Sequence, residues 1–203
     1  MIDILLNFLP EKSNFMNLFS YLTTRTILAT LTGLMMVLFL GETFIKRIRS
    51  LQFQQSIGDR GPDSHKIKDG TPTMGGLLII GSVILSGFLW GDLTNKYLLI
   101  SIFCLFMFAL IGFVDDYNKI KQKNQEGMSG ISKIFWQFIC ACIISVILYT
   151  TAENKSEISY IVPFFKEVVL DFGVWFIFIS IFIIIGSSNA VNLTDGLDGL
   201  AIL

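Results

Sequence analysis

The chain has 203 residues, of which 53% are hydrophobic and only 15% charged, with a formal net charge of −1. A soluble domain is nearer ~25% charged, so these values and a mean hydropathy of +0.67 place the chain in the polytopic membrane class. Bulk charge implies no nucleic-acid partner, and the three cysteines, Cys104, Cys140 and Cys142, lie inside apolar runs as small packing residues rather than disulfide or metal ligands.

In chain order, residues 1–21 are mixed and read as a short interfacial helix, without the basic and then apolar pattern of a cleaved signal peptide. Apolar spans follow at Thr26–Phe44, Gly75–Trp90, Tyr97–Val114, Ile134–Thr150 and Phe172–Ser187, each near the lower end of the ~17–25 residues a spanning helix needs. A sixth span begins at Leu197 and is cut at Leu203. The expected fold is one all-α integral membrane domain over residues 1–203, with about five complete transmembrane helices and the start of a sixth. Between the fourth and fifth spans, Ile158–Phe172 has β-branched runs around Pro163 and reads as a small outward β-hairpin.

Basic residues divide unequally among the connections. Lys46, Arg47, Arg49, Arg60, Lys66 and Lys68 fall between the first two spans, and Lys119, Lys121, Lys123 and Lys133 between the third and fourth. These are ten of the fifteen lysines and arginines. The positive-inside rule therefore puts 45–74 and 115–133 in the cytoplasm, 188–197 with them by counting spans, and the N-terminus outside.

Each inward connection carries an unusual stretch. The first, Ser64 to Gly76, sets Pro72 and Gly70, Gly75 and Gly76 among Lys66, Lys68, Thr71 and Thr73. Ammonium, hydroxyl and amide donors around a permissive backbone suit a phosphate or nucleotide, although the spacing is not that of a Walker loop. A basic juxtamembrane turn placed for topology fits equally well. His65 is the single histidine, which excludes a site built from several of them.

The second stretch is Phe113-Val114-Asp115-Asp116-Tyr117-Asn118-Lys119, where two carboxylates close an apolar run. If the helix ends at Val114, anions at its C-terminus oppose the macrodipole at ~0.3–1 kcal/mol each, so a function is needed to explain them. Lys119 offsets part of this if the helix continues, being i+4 from Asp115 and i+3 from Asp116. Adjacent helical residues diverge by ~100°, so two separate jobs are expected, one toward a divalent cation and one toward a reacting group.

The third stretch, Ser187 to Ala201, repeats Asn189, Asn192, Asp195 and Asp198 every three residues. A helical or 3₁₀ turn would line these along one face, offering hydrogen bonds to a base or ribose and hard oxygens to Mg²⁺. Alternatively Asn192, Thr194 or Asp195 caps the next helix.

Together HKIKDGTPTMGG at 65–76, FVDDYNK at 113–119 and NAVNLTDGLDGLA at 189–201 resemble the phospho-N-acetylmuramoyl-pentapeptide transferase family, within the polyprenyl-phosphate hexosamine-1-phosphate transferases of glycosyltransferase family 4. The resemblance covers essentially the whole chain. It implies Mg²⁺-dependent transfer of phospho-MurNAc-pentapeptide from UDP-MurNAc-pentapeptide to undecaprenyl phosphate, giving lipid I and UMP. This is the first membrane step of peptidoglycan synthesis, and hence of cell-wall biogenesis, shape and division, at the bacterial cytoplasmic (inner) membrane. It also implies roles by motif position. Asp115 and Asp116 are catalytic. Lys68, Thr73, Lys119 and Lys133 contact nucleotide or diphosphate. Asn192, Asp195, Gly196, Leu197 and Asp198 form the nucleoside side, and Asp116 and Asp195 ligate the metal. A homodimer is compatible with the resemblance. Family members look like ten-helix proteins with a further aspartate and a histidine-rich loop downstream, so the expectation is a truncated chain of doubtful activity. The alternatives are a sister enzyme moving another N-acetylhexosamine 1-phosphate, or a non-catalytic remnant. A transporter would place acidic residues at mid-depth, whereas these sit at span ends.

Overall fold

A computed structural model describes residues 18–50, 74–122, 127–161 and 169–194. Five helices account for most of them: α1 (Leu22–Ser50), α2 (Gly76–Trp90), α3 (Lys96–Gln122), α4 (Gly130–Thr151) and α5 (Trp175–Thr194). Each falls on one expected span, and α1, α3, α4 and α5 are long and apolar enough to cross a membrane. The fifteen residues of α2 reach ~22 Å at ~1.5 Å per residue, short of a ~30 Å hydrocarbon core. The start of the sixth span lies outside the described residues.

The expected hairpin is present. Strands β1 (Ser159–Ile161) and β2 (Val169–Asp171) pair antiparallel, with Ser159 opposite Asp171, Tyr160 opposite Leu170 and Ile161 opposite Val169. Fold and burial together mark an all-α polytopic membrane protein. Among the described residues, several of the most buried are small or polar: Ser82, Ser86, Ser145, Ser180 and Gln137. Large apolar side chains face outward instead, Phe182 being 79% exposed and Phe39 73%. That inversion suits a solvent of acyl chains, where helices associate through small residues and hydrogen bonds.

The chain groups into two compact units, residues 1–129 and 130–203. In the first, α1 packs on α2 where Gly33 faces Ser86, and a Cβ at Gly33 would lie 3.3 Å from the Ser86 hydroxyl. Trp90 pins the end of the pair. Its indole N–H donates to Thr32 Oγ1 at 2.9 Å, its carbonyl accepts from Arg25 Nε at 2.7 Å, and Phe19 stacks on its ring. The turn into α3 is built by Asp92, whose Oδ1 accepts from both the amide and the hydroxyl of Thr94. Those two bonds hold the Asp92 carboxyl below its ordinary pKa. Asn95 then caps α3, its Oδ1 accepting the Tyr97 amide at 2.9 Å.

In the second unit, the hairpin is tied to α5 by Tyr160. Its hydroxyl lies 2.8 Å from Ser180 Oγ, and its ring packs against Phe172 and Phe176. The N-terminal turns of α4 meet the C-terminal turns of α5 at Gln137, which is 2% exposed. Gln137 Oε1 accepts from Asn189 Nδ2 at 2.8 Å, and Nε2 donates to Ser188 Oγ at 3.4 Å.

Three expected helix ends move. Helix α1 continues past Phe44 to Ser50, α3 past Val114 to Gln122 and α5 past Ser187 to Thr194. Falling hydropathy marks where a helix leaves lipid, whereas backbone hydrogen bonding carries it into water for as long as propensity and side-chain pairs sustain it.

Candidate functional site

The extension of α3 changes the setting of the two aspartates. Asp115 and Asp116 lie more than a turn before the helix end, and the last turn holds Lys119 and Lys121. The dipole field fades within the terminal turn, and the charges placed there are the favourable ones. The expected macrodipole conflict is therefore absent.

A continuing helix also brings Lys119 to both carboxylates at once. Lys119 Nζ is 2.9 Å from Asp115 Oδ2 and 3.2 Å from Asp116 Oδ1. The carboxylates differ in setting, with side-chain exposures of 12% for Asp115 and 32% for Asp116. Asp115 Oδ1 also accepts the backbone N–H of Met128 at 2.8 Å, which ties the connection after α3 back onto the helix.

That bond depends on Gly127, which sequence reading missed. Its φ is +58°, in the left-handed region that glycine enters without a Cβ penalty. A Cβ there would lie 2.6 Å from Asp115 Oδ1, 2.8 Å from Lys119 Cε and 3.0 Å from Lys119 Cγ. The backbone thus lies directly over the carboxylate–ammonium pair. The available signal was Gly127 in Glu126-Gly127-Met128-Ser129-Gly130, a turn-prone stretch before the next apolar run.

Met74 is a second special position. It is the one non-glycine residue with positive φ among those described, at 67°, and its side chain is 6% exposed. The left-handed conformation costs an L-residue ~1–2 kcal/mol, so packing holds it there, at the mouth of α2. The site candidates just before it, Lys68 and Thr73, lie outside the described residues.

The second unit holds Lys133 and Asn192. Lys133 is half-buried in the opening turns of α4, and Asn192 is exposed in the last turn of α5. Of the three-residue repeat, only Asn189 and Asn192 fall among the described residues, and these two are set differently. The segment is α-helical to Thr194, and a three-residue step on an α-helix rotates ~60° off a common line. Asn189 consequently turns into the α4 contact while Asn192 faces outward. Asn192 and Thr194 fall in the last turn of α5, and the expected cap of a next helix lies outside the described residues. Asp195, Gly196, Leu197 and Asp198 lie outside the described residues.

The donor chemistry around Asp115 and Asp116 fits a divalent cation: hard carboxylate oxygens from adjacent positions converge on one positive charge. Among the described residues no group of three or more His, Cys, Asp or Glu side chains forms a full metal site.

Protein-family models match two stretches of the chain. Residues 68–80 match signature 1 of the phospho-N-acetylmuramoyl-pentapeptide-transferases, a stretch ending in α2 and including Met74. Residues 98–203, just over half of the chain, match glycosyl transferase family 4, and this region contains both aspartates, Lys119, Gly127, Lys133 and Asn192. The chain belongs to glycosyl transferase family 4.

Proposed function

We propose that this protein transfers a hexosamine 1-phosphate from a UDP-sugar to a polyprenyl phosphate, releasing UMP. In its specific form the donor is UDP-MurNAc-pentapeptide, the acceptor undecaprenyl phosphate and the product lipid I, made at the cytoplasmic face of the inner membrane. The observation that carries the reading is the Asp115–Lys119–Asp116 cluster on an apolar helix, inside the family match and alongside the signature at 68–80.

Both reactants are anionic, so the first requirement is to cancel repulsion between them. Lys119 and Lys133 carry positive charge toward the diphosphate, with Lys68 and Thr73 on the nucleotide-sugar. Asn192, Asp195, Gly196, Leu197 and Asp198 take the nucleoside side. Asp116 and Asp195 would hold Mg²⁺, which when bound neutralises developing charge on the diphosphate. A phosphate monoester has a second pKa near ~6, so the lipid phosphate is largely dianionic at neutral pH and needs little help from a base. Asp115 already accepts hydrogen bonds on both oxygens, from Met128 N–H and from Lys119. Its role is to orient the ammonium and the connection after α3, and through them the incoming phosphate.

The test is UMP release by the full-length gene product supplied with Mg²⁺, undecaprenyl phosphate and UDP-MurNAc-pentapeptide. A parallel arm uses UDP-N-acetylglucosamine. UMP from the first donor supports the specific reading, and UMP from the second alone selects a sister transferase. No UMP from folded protein with either donor refutes both.

A further inference from the structure

A single buried amide joins the two helices of the second unit that carry its two site candidates. Gln137 is the polar residue in the middle of the Phe135–Phe138 apolar turn, and it is 2% exposed. Its Oε1 accepts one hydrogen of Asn189 Nδ2 at 2.8 Å, while Asn189 Nδ2 gives its other hydrogen to Ile185 O at 2.9 Å. Both donors of the Asn189 amide are thereby used within the helix pair. Lys133 lies one turn before Gln137 on α4, and Asn192 lies three residues beyond Asn189 on α5. Each is thus one ~5.4 Å turn further toward the helix ends that Gln137 joins. A slip or rotation of α5 against α4 would move Asn192 relative to Lys133 by a comparable distance.

We infer that Gln137 is a positioning residue for the nucleotide-sugar site, setting Lys133 against Asn192 through its hydrogen bonds to Asn189 and Ser188. The inference rests on the proposed function for the ligand, a nucleoside diphosphate-sugar that needs an ammonium on its diphosphate and an amide on its nucleoside at a fixed spacing. An interhelical hydrogen bond in a membrane contributes little to overall stability, commonly under ~1 kcal/mol. A register error of ~1 Å in a binding site, by contrast, lowers its performance by as much as ~100-fold.

The experiment compares Gln137→Leu, which keeps volume and removes both bonds, with the swap Gln137→Asn/Asn189→Gln, which restores an amide pair of the same total length. In the UMP-release assay, Gln137→Leu raises KM for the UDP-sugar about tenfold and leaves kcat within about threefold, and the swap returns KM toward wild type. In parallel, spin labels at positions 133 and 192 in a cysteine-free background report the interhelical distance without any need for turnover. That distance broadens or shifts in Gln137→Leu and recovers in the swap. If Gln137→Leu does not accumulate, Asn189→Ala removes the same bond from the other helix. An unchanged distance distribution, or an unchanged KM with only yield or thermal midpoint reduced, overturns the inference. Wild-type protein that binds membrane but releases no UMP refutes the proposed reaction instead, and the label distances still decide the role of Gln137.

Discussion

Substituting Gly127 by alanine tests the arrangement over the aspartates most directly. Two costs act together. Holding an L-residue at φ +58° costs ~1–2 kcal/mol. The added methyl group also falls 2.6 Å from Asp115 Oδ1, well inside contact distance, while the two Lys119 carbons at 2.8 and 3.0 Å belong to a side chain that can move aside. Asp115 has less freedom, because the same Oδ1 accepts the Met128 amide at 2.8 Å. The easiest relief is to break that bond, and a hydrogen bond to a charged group contributes ~1.5–3 kcal/mol. With partial relaxation the expected loss is ~3 kcal/mol, taken up by the connection lifting off the helix rather than by global unfolding. Hydrogen exchange at the Met128 amide then accelerates by about two decades, at ~1.4 kcal/mol per tenfold. Gly127→Asn separates the two costs, since asparagine tolerates positive φ but still carries the Cβ. It should fall close to alanine if the close approach dominates. Gly130→Ala is the control, with nothing within 4 Å of the added carbon, and leaves Met128 protected. Unchanged Met128 exchange in Gly127→Ala would refute the close packing over Asp115.

Asp116→Asn weakens the Mg²⁺ dependence of UMP release, while Asp115→Asn lowers protection at Met128 as well as turnover; identical Mg²⁺ titrations for wild type and Asp116→Asn refute the first. Met74→Gly is milder than Met74→Ala by ~1 kcal/mol in detergent-solubilised protein unfolded with SDS, because both lose the buried side chain but only glycine relieves the positive φ. The reverse order would show that Met74 is not held in that conformation. Ser145→Ala is neutral or stabilises by up to ~1 kcal/mol in the same assay, because the Ser145 hydroxyl is fully buried and has no hydrogen-bond partner among the described residues. Asp92 has its pKa depressed by Thr94, so its contribution is present above the unfolded pKa near ~4 and is lost as pH falls through the lower folded value. Exchange at the Thr94 amide therefore gains protection from pH 2 to 5 relative to an Asp92→Asn variant, and parallel profiles would exclude the Asp92 turn as the cause.

Hydropathy alone located the five described helices, because a membrane makes burial of the backbone a matter of span length, while β-branched runs located the hairpin. It was least informative about helix ends, and those carry the candidate site residues. The apolar run stops at Val114, yet the helix carries on through Gln122, with Lys119 pairing back to both aspartates and Lys121 on the favourable dipole end. The apolar run before the asparagines stops near Ser187, yet α5 carries on to Thr194. Gln137 was legible as one polar residue in an apolar span and was passed over, since its meaning depends on a partner 52 positions away. Gly127 shows the same limit, because a close approach between a turn and a side chain is a tertiary fact that local composition does not record.

The difference in setting between the two aspartates also bears on their division of labour. The ~100° divergence of neighbouring helical residues predicts two jobs, and the helix extension gives the two side chains different settings. With the helix ended at Val114, both carboxylates would sit in the same frayed, hydrated terminus and would be hard to distinguish. With it extended, Asp115 is turned inward, 8% exposed, under Gly127 and bonded to Met128. Asp116 keeps about a third of its side chain accessible. A buried carboxylate whose oxygens already accept an amide and an ammonium has little freedom to turn toward a substrate. The more accessible neighbour, sharing the same lysine, is the better placed to meet a cation or a phosphate. Within the proposed reaction, these settings favour a positioning role for Asp115 and direct contact with the reacting charge for Asp116.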